Sequence, residues 1–191
     1  MDPLSFSDAA TRIREGSVGV IPTDTLYGLV ASALDPAAVV RVYGIRARET
    51  DKPCIVLFSG ISDLGIFGID PDNRTHELLS RVWPGPVSVV LPCSGAEWEY
   101  LHRGTGTIAF RVPKDDALHE FLVKAGPVIA PSANRAGEKP AVTAAEAEAY
   151  FGDHIDFVVD GGILGGVPST VARIEQGEWV VLRQGSVPIP S

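Results

Sequence analysis

Hydroxyl and carboxylate side chains follow the first strongly apolar run of the chain. The run at 18–21 is typical of a buried strand, and Pro22 then interrupts the hydrogen-bonding ladder. Thr23, Asp24 and Thr25 come directly afterwards. A strand that ends in such groups can present them to a small molecule. The alternative is a plain turn, in which the same side chains only cap the local backbone.

A group of cations suited to phosphate lies near the end of a predicted helix. Arg46, Arg48 and Lys52 occur close together in a chain whose formal net charge is −8. The planar guanidinium group matches the geometry of phosphate. The alternative is a favourable placement of positive charge at a helix C-terminus.

Arg111 lies inside a predicted strand at 107–112, with Thr107 on the same face four residues earlier. An arginine within an apolar strand requires an anion. That anion is either a buried carboxylate of the protein or a carboxylate or phosphate of a ligand, and the sequence leaves both open.

Other strand ends also carry small polar groups. Ser132 and Asn134 follow the apolar run at 128–131, and Arg183 ends the last predicted strand. A glycine-rich stretch at 160–170 has a carboxylate at one end and two hydroxyls at the other. We find neither a GxSxG nucleophile motif nor a metal-ligand spacing. This pattern indicates a site that binds a polyphosphate and a polar small molecule, and that acts by positioning and charge neutralisation, as in nucleotidyl transfer.

Predicted helices and strands alternate along most of the chain. Helices are expected at 7–15, 35–46, 70–82, 114–125 and 143–151, and strands at 18–21, 54–58, 87–91, 107–112, 128–131, 155–160, 169–174 and 179–183. The last two strands form a predicted hairpin, and 97–106 is expected to be an exposed connection. The order predicts an α/β sheet of mixed direction with helices packed on it.

Composition limits the classes of function. The 191 residues are 45% hydrophobic and 21% charged, which is ordinary for one globular domain. A net charge of −8 argues against general nucleic-acid binding. The N-terminal segment lacks the apolar core of a signal peptide, and no apolar stretch approaches the length of about 20 residues needed to span a membrane. Two cysteines outside any CxxC motif favour a cytoplasmic location.

Several short motifs together resemble one known family. The chain contains, in order, PTDTLYGL, RAR followed by KP, WPGP, TIAFRVP, PSAN, STV and LRQG. This set is similar to the YrdC-like family of threonylcarbamoyl-AMP synthases and spans almost the whole chain. The resemblance implies an open, twisted sheet of mixed parallel and antiparallel strands around a central cavity, in a single domain over residues 1–191.

The resemblance also implies an activity and its residues. The family joins L-threonine, bicarbonate and ATP into threonylcarbamoyl-AMP, with release of pyrophosphate, for a transferase machinery that modifies tRNA. It implies that Thr23, Arg111 and Ser132 bind threonine. For ATP, accompanied by Mg²⁺, it implies Arg46, Arg48, Thr107, Asn134 and Arg183, with Arg46 and Arg48 as the catalytic cations. No protein-held metal and no membrane contact are implied, and the charge balance argues against strong direct RNA binding.

Three departures from the family pattern keep other functions open. Arg46 replaces the usual lysine, Glu49 replaces a frequent proline, and Pro168 replaces the glutamate that often precedes STV. Lysine is a point charge, whereas arginine is a larger planar donor. The alternatives are a nucleotide-binding paralogue with a different acyl acceptor, and a non-catalytic RNA-binding protein.

Overall fold

The computed structural model describes residues 4–46 and 53–189. They contain one nine-stranded sheet. The strands are β1 (Gly19–Pro22), β2 (Tyr27–Ser32), β3 (Ile55–Leu57), β4 (Val87–Pro92), β5 (Thr107–Arg111), β6 (Val128–Ile129), β7 (Phe157–Val158), β8 (Thr170–Glu175) and β9 (Glu178–Arg183). They lie in the order β7-β1-β2-β6-β3-β5-β4-β8-β9. The pairs β1–β7, β3–β5 and β4–β8 are parallel, and the other neighbours are antiparallel. The predicted open sheet of mixed direction is therefore confirmed.

Helices cover both faces of this sheet. They are α1 (Phe6–Arg14), α2 (Pro36–Arg46), α3 (Asn73–Val82), α4 (Glu99–His102), α5 (Asp116–Ala125) and α6 (Ala144–Phe151), with short 3₁₀ turns at Ile61–Phe67, Ala96–Trp98 and Gly152–His154. α1 and α5 pack together on one face, where Ile13 and Phe121 meet Leu57. The larger core on the other face includes Val42 of α2 and Leu79 of α3.

β2 was absent from the sequence-based prediction, which treated the residues after Pro22 as a loop. The residues 23–26 form only a short turn, and the chain returns antiparallel to β1, with Pro22 opposite Tyr27. Gly28 and Ala31 have weak strand preference, but β2 is paired with β1 on one side and β6 on the other. Tertiary pairing thus overrode the local signal, and it holds the polar turn rigidly between two central strands.

The prediction of an exposed connection at 97–106 is wrong. This stretch contains α4, and its Leu101 and His102 are buried. The His102 Nδ1 accepts hydrogen bonds from the backbone N–H groups of Gly104 and Gly106, at 3.1 and 3.4 Å. The side chain therefore organises the turn that leads into β5, so its polar character does not indicate exposure.

The C-terminal hairpin is confirmed. β8 and β9 are joined by Gln176 and Gly177, both of which have positive φ, at 51° and 77°. Positive φ at both central positions is characteristic of the tight hairpin turn whose twist matches that of the strands. This hairpin brings Arg183 back beside the start of β8, where Val171 is its partner.

Two further observations concern the cysteines and the length of the helices. Cys54 and Cys93 are both thiols and both are buried. In the described parts of the chain, no helix is both long and apolar enough to cross a membrane.

One ion pair ties α2 to Asp156, which directly precedes β7. Arg41 donates to Asp156 at 2.5 and 2.8 Å, and Asp156 also accepts from the backbone N–H of Val18 at 2.7 Å. These contacts, led by the hydrogen bond from Arg41, lower the pKa of Asp156 below its ordinary value.

We expect Asp156→Asn to lower the free energy of unfolding by about 1 kcal/mol at pH 7, because a partly exposed charged hydrogen bond is lost. A carboxyl whose pKa is depressed in the fold stabilises it above its unfolded value of about 3.9 and ceases to do so as the pH falls through the folded value. Thermal unfolding of both proteins from pH 7 to pH 3 should therefore show a difference of roughly 3 °C that shrinks with acidification. A difference that is independent of pH would contradict this account.

Candidate active site

A cavity of about 160 Å³ opens where the turn after β1 meets the ends of β5 and β9. Its walls come from seven separate segments, which the fold brings together. The lining residues are Thr23, Thr25, Leu26, Tyr27, Gly28, Pro53, Cys54, Ile55, Arg111, Ala130, Pro131, Ser132, Pro140, Pro168, Ser169 and Arg183. The three residues predicted to bind threonine, namely Thr23, Arg111 and Ser132, and one predicted to bind ATP, Arg183, thus line the same cavity.

The Thr23 hydroxyl holds the turn between β1 and β2 in shape. It donates to the carbonyl of Leu26 at 2.6 Å and accepts from the backbone N–H groups of Thr25 and Leu26, both at 3.2 Å. It also lies 3.2 Å from the hydroxyl of Thr25. Thr23 therefore does both things that the sequence allowed, because its side chain caps the local backbone and also lines the cavity.

Arg111 has a protein carboxylate as its partner. Its Nη2 lies 3.1 Å from Oδ1 of Asp24. The side chains of Arg111 and Asp24 are only 5% and 6% exposed. Its Nη1 donates to the hydroxyl of Thr25 at 3.3 Å. Its Nε is buried without a hydrogen-bond partner among the described residues. An arginine that lines a cavity and has N–H donors left after its protein contacts can bind an anion of a ligand.

Burial shifts the pKa values of the charged groups around this cavity. Burial raises the pKa of Asp24, and the charge of Arg111 opposes that rise. Burial lowers the pKa of Arg111; Asp24 counteracts the effect, and the positive charge of Arg183 adds to it. Burial likewise lowers the pKa of Arg183. Guanidinium groups remain protonated near neutral pH, so the cavity is positively charged.

The loop after β6 contributes Ser132 and is organised by Asn134. The Ser132 hydroxyl donates to Oδ1 of Asn134 at 2.6 Å, and the Asn134 amide donates to the carbonyls of Arg135 and Glu138 at 2.8 and 2.9 Å. The amide is thus engaged within the loop, behind the cavity wall. Its predicted contact with a nucleotide remains a prediction.

Arg46 is buried against that same loop. Its Nε donates to the carbonyl of Asn134 at 3.0 Å, and its Nη2 lies 3.4 Å from the hydroxyl of Ser132. The end of α2 is thereby tied to a wall of the cavity. Arg48 and Lys52 lie outside the described residues.

Thr107 lies at the opposite end of β5 from Arg111, about 13 Å away by the rise of a strand. It does not line the 160 Å³ cavity, and its hydroxyl donates to that of Thr105 at 3.3 Å. Thr107, Ala109 and Arg111 share one face of the strand, as predicted. Thr107 and Ala109 are half-buried, so this face of β5 is accessible beyond the cavity.

The glycine-rich loop before β8 closes one side of the cavity. The Tyr27 hydroxyl donates to the carbonyl of Gly162 at 2.8 Å and accepts from the N–H of Gly161 at 2.9 Å. A Cβ on Gly166 would lie only 1.7 Å from the carbonyl oxygen of Thr25. The Arg183 Nη2 donates to the carbonyl of Ser169 at 2.8 Å. The sequence suggested a phosphate-binding loop here but gave no sign of its contact with the Thr23–Thr25 turn.

Two groups of this site were not assigned a role from sequence. Asp24 was noted only as part of a polar turn, and Tyr27 only as its neighbour. A carboxylate beside an apolar strand could have been matched to Arg111, but the partners lie far apart in the chain and meet only across the sheet. Taken together, the site can bind an anion through Arg111 and Arg183 and orient polar atoms through hydroxyls of the turn and of Ser132.

Comparison with known proteins places this geometry in a family. The family model Sua5_yciO_yrdC, described as "Telomere recombination", matches residues 11–185. A curated threonylcarbamoyl-AMP synthase of Pyrococcus abyssi is 37% identical over 95% of this chain. The chain spans 54% of the length of that relative.

Solved structures agree with the fold. The crystal structure of P. abyssi Sua5 complexed with L-threonine superposes with a TM-score of 0.88 at 34% identity, covering 96% of this chain and 54% of that one. E. coli YciO superposes with a TM-score of 0.83 at 26% identity, covering 94% of this chain and 88% of that one. The chain belongs to the Sua5/YciO/YrdC family.

Proposed function

We propose that this chain is a threonylcarbamoyl-AMP synthase, which forms threonylcarbamoyl-AMP and pyrophosphate from L-threonine, bicarbonate and ATP. The main support is the buried Arg111, which lines a cavity together with Thr25 and Ser132 and whose Nε has no hydrogen-bond partner among the described residues. The threonine-bound structure of a 34% identical Sua5 and the name of the P. abyssi relative support the choice of substrate.

The amino-acid half of the reaction fits the 160 Å³ cavity. The carboxylate of threonine accepts from Arg111, and its hydroxyl donates to Ser132, while Thr23, whose hydroxyl is engaged within the turn, forms the adjoining wall of the threonine site. The amino nitrogen then bonds to the carbon of bicarbonate, with loss of water, to form a carbamate. Apolar side chains beside these donors, including Ile55 and Ala130, suit the methyl group of threonine.

The proposed ATP-binding part of the site places positive charge next to this cavity. A carbamate oxygen attacks the α-phosphorus of ATP, and pyrophosphate leaves. Arg46, Arg48 and Arg183 neutralise the phosphates, and Asn134 supports them from its loop. The accessible face of β5 can carry the nucleoside as far as Thr107.

Mg²⁺ enters this scheme with the triphosphate. Among residues 4–46 and 53–189, no group of three or more acidic, histidine or cysteine side chains is placed to hold a metal ion. Such a surface fits an ion held mainly by phosphate and water, which is the usual way in which Mg²⁺ accompanies ATP.

The proposal extends to the setting of the reaction. Threonylcarbamoyl-AMP is an activated acyl donor, so a transferase that modifies tRNA would consume it. A cytoplasmic location is proposed on the basis of this role and of two buried thiols. Direct RNA binding is not required, because Arg111 and Arg183 line a cavity suited to small anions.

The proposal is tested by measuring pyrophosphate release from ATP and bicarbonate, with L-threonine, with L-serine and with neither. We expect release that requires threonine, is at least tenfold slower with serine, and is lost in Arg48→Ala. Arg46→Lys, which restores the common family residue, should retain it. ATP binding without threonine-dependent release would refute the synthase and favour a paralogue with another acyl acceptor. Absence of ATP binding would favour the RNA-binding alternative.

A further inference from the structure

Asp24 lies behind Arg111, away from the ligand space. Its Oδ1 is 3.1 Å from Nη2 of Arg111, and its Oδ2 accepts from the backbone N–H of Lys114 at 3.4 Å. Asp24 is not among the described residues that line the cavity, whereas both neighbours in the turn, Thr23 and Thr25, line it. It therefore acts on a ligand through Arg111 and not by contact.

The positive charges at this cavity outnumber the negative charge that is paired with them. Two arginines, Arg111 and Arg183, line the cavity, and one buried carboxylate pairs with the first of them. Their mutual repulsion is strong enough to contribute to lowering the pKa of Arg111. With Asp24 ionised, the group carries one net positive charge; without it, the group would carry two.

This difference matters because the proposed reaction consumes a triphosphate and releases pyrophosphate beside the cavity. A small cavity with two uncompensated guanidinium groups would bind multiply charged oxyanions in place of the amino acid. A cavity with one net charge still binds a carboxylate through Arg111 but attracts a dianion much less.

We infer that Asp24 sets the charge at the Arg111 side of this cavity so that this side selects a zwitterionic amino acid over a doubly charged oxyanion, while the uncompensated charge of Arg183 serves the phosphates of ATP. The inference rests on the proposed amino-acid site and adds a determinant of its specificity. Asp24 is a positioning residue in this scheme, since it holds Nη2 of Arg111 and does not itself line the cavity.

The charged groups that face Asp24 come from three elements. Arg111 is on β5, Asp115 caps α5 and raises the pKa of Asp24 slightly, and Arg183 on β9 acts through Arg111. Because burial raises the pKa of Asp24, acidification should neutralise it before an ordinary aspartate. The wild-type cavity should then become more favourable to dianions as the pH falls.

The test measures the affinity for L-threonine and for sulfate by calorimetric titration and competition, in the wild type and in Asp24→Asn. Sulfate is the probe because it stays doubly charged across the pH range, whereas phosphate titrates. At pH 7 we expect the ratio of threonine affinity to sulfate affinity to fall at least tenfold in Asp24→Asn. The matched control, Asp156→Asn, removes the acid of another Asp–Arg pair and should keep the wild-type ratio.

A second measurement compares the wild type and Asp24→Asn as the pH is lowered. In the wild type, the same ratio should decrease between pH 7 and pH 4.5, and in Asp24→Asn it should change little. A purely structural role would weaken both ligands together, so an unchanged ratio in Asp24→Asn overturns the inference, as does an equal pH dependence in both proteins. If the wild type does not bind threonine at all, the proposed function itself is wrong.

Discussion

Replacing Arg111 with lysine is expected to raise the KM for L-threonine about 100-fold, with the KM for ATP changed less than threefold. Lysine keeps the positive charge, but its single ammonium group cannot reach Asp24, the hydroxyl of Thr25 and a ligand carboxylate at once. The wild-type guanidinium makes the first two contacts at 3.1 and 3.3 Å, and each terminal nitrogen carries a second N–H that can serve the third. The loss of one charge-assisted hydrogen bond, about 1.5–3 kcal/mol, accounts for the size of the effect.

The measurement is the initial rate of pyrophosphate release at varied threonine and at varied ATP. The control is Arg41→Lys, which alters the arginine of the partly exposed pair with Asp156 and should change both KM values less than twofold. Thermal unfolding of each variant separates loss of the fold from loss of binding. If Arg111→Lys raised the KM for ATP as much as that for threonine, the assignment of this arginine to the amino acid would be wrong.

Replacing Gly166 with alanine is expected to reduce threonine-dependent activity at least 100-fold and to lower the melting temperature by roughly 5 °C. The added Cβ would lie 1.7 Å from the carbonyl oxygen of Thr25, which no side-chain movement can relieve, because both parts are backbone. Either the loop or the turn must shift. The Thr25 hydroxyl accepts from Arg111, so a shift of the turn also displaces the guanidinium group.

The neighbouring glycine provides the control. A Cβ on Gly165 would meet no atom within 4 Å, so Gly165→Ala should keep the activity and the melting temperature within about 2 °C of wild type. Both variants restrict the unfolded chain in the same way, so the comparison isolates the close contact with Thr25. Equal activity in the two alanine variants would show that this contact does not support the site.

The sequence by itself determined the class of fold and most elements of the sheet. Apolar runs bounded by proline, glycine and polar residues located eight of the nine strands, because a buried strand needs such a run and a clear end. The hairpin at Gln176 and Gly177 was also predictable, since its turn depends on local backbone conformation. β2 was missed because its pairing comes from strands on both sides and not from its own residues.

The sequence also named four of the residues that line the cavity, Thr23, Arg111, Ser132 and Arg183, because their types suit anion binding at strand ends. It left open which anion Arg111 meets. Asp24 and Arg111 are 87 positions apart in sequence, and only the sheet order brings them within 3.1 Å. The backbone contact of Gly166 with Thr25 is equally invisible in sequence, because a glycine is chosen there for the absence of a side chain. Residue types thus indicated which chemistry was available. Tertiary packing decided which charged groups form ion pairs, which donors stay without a partner, and which side chains line the cavity.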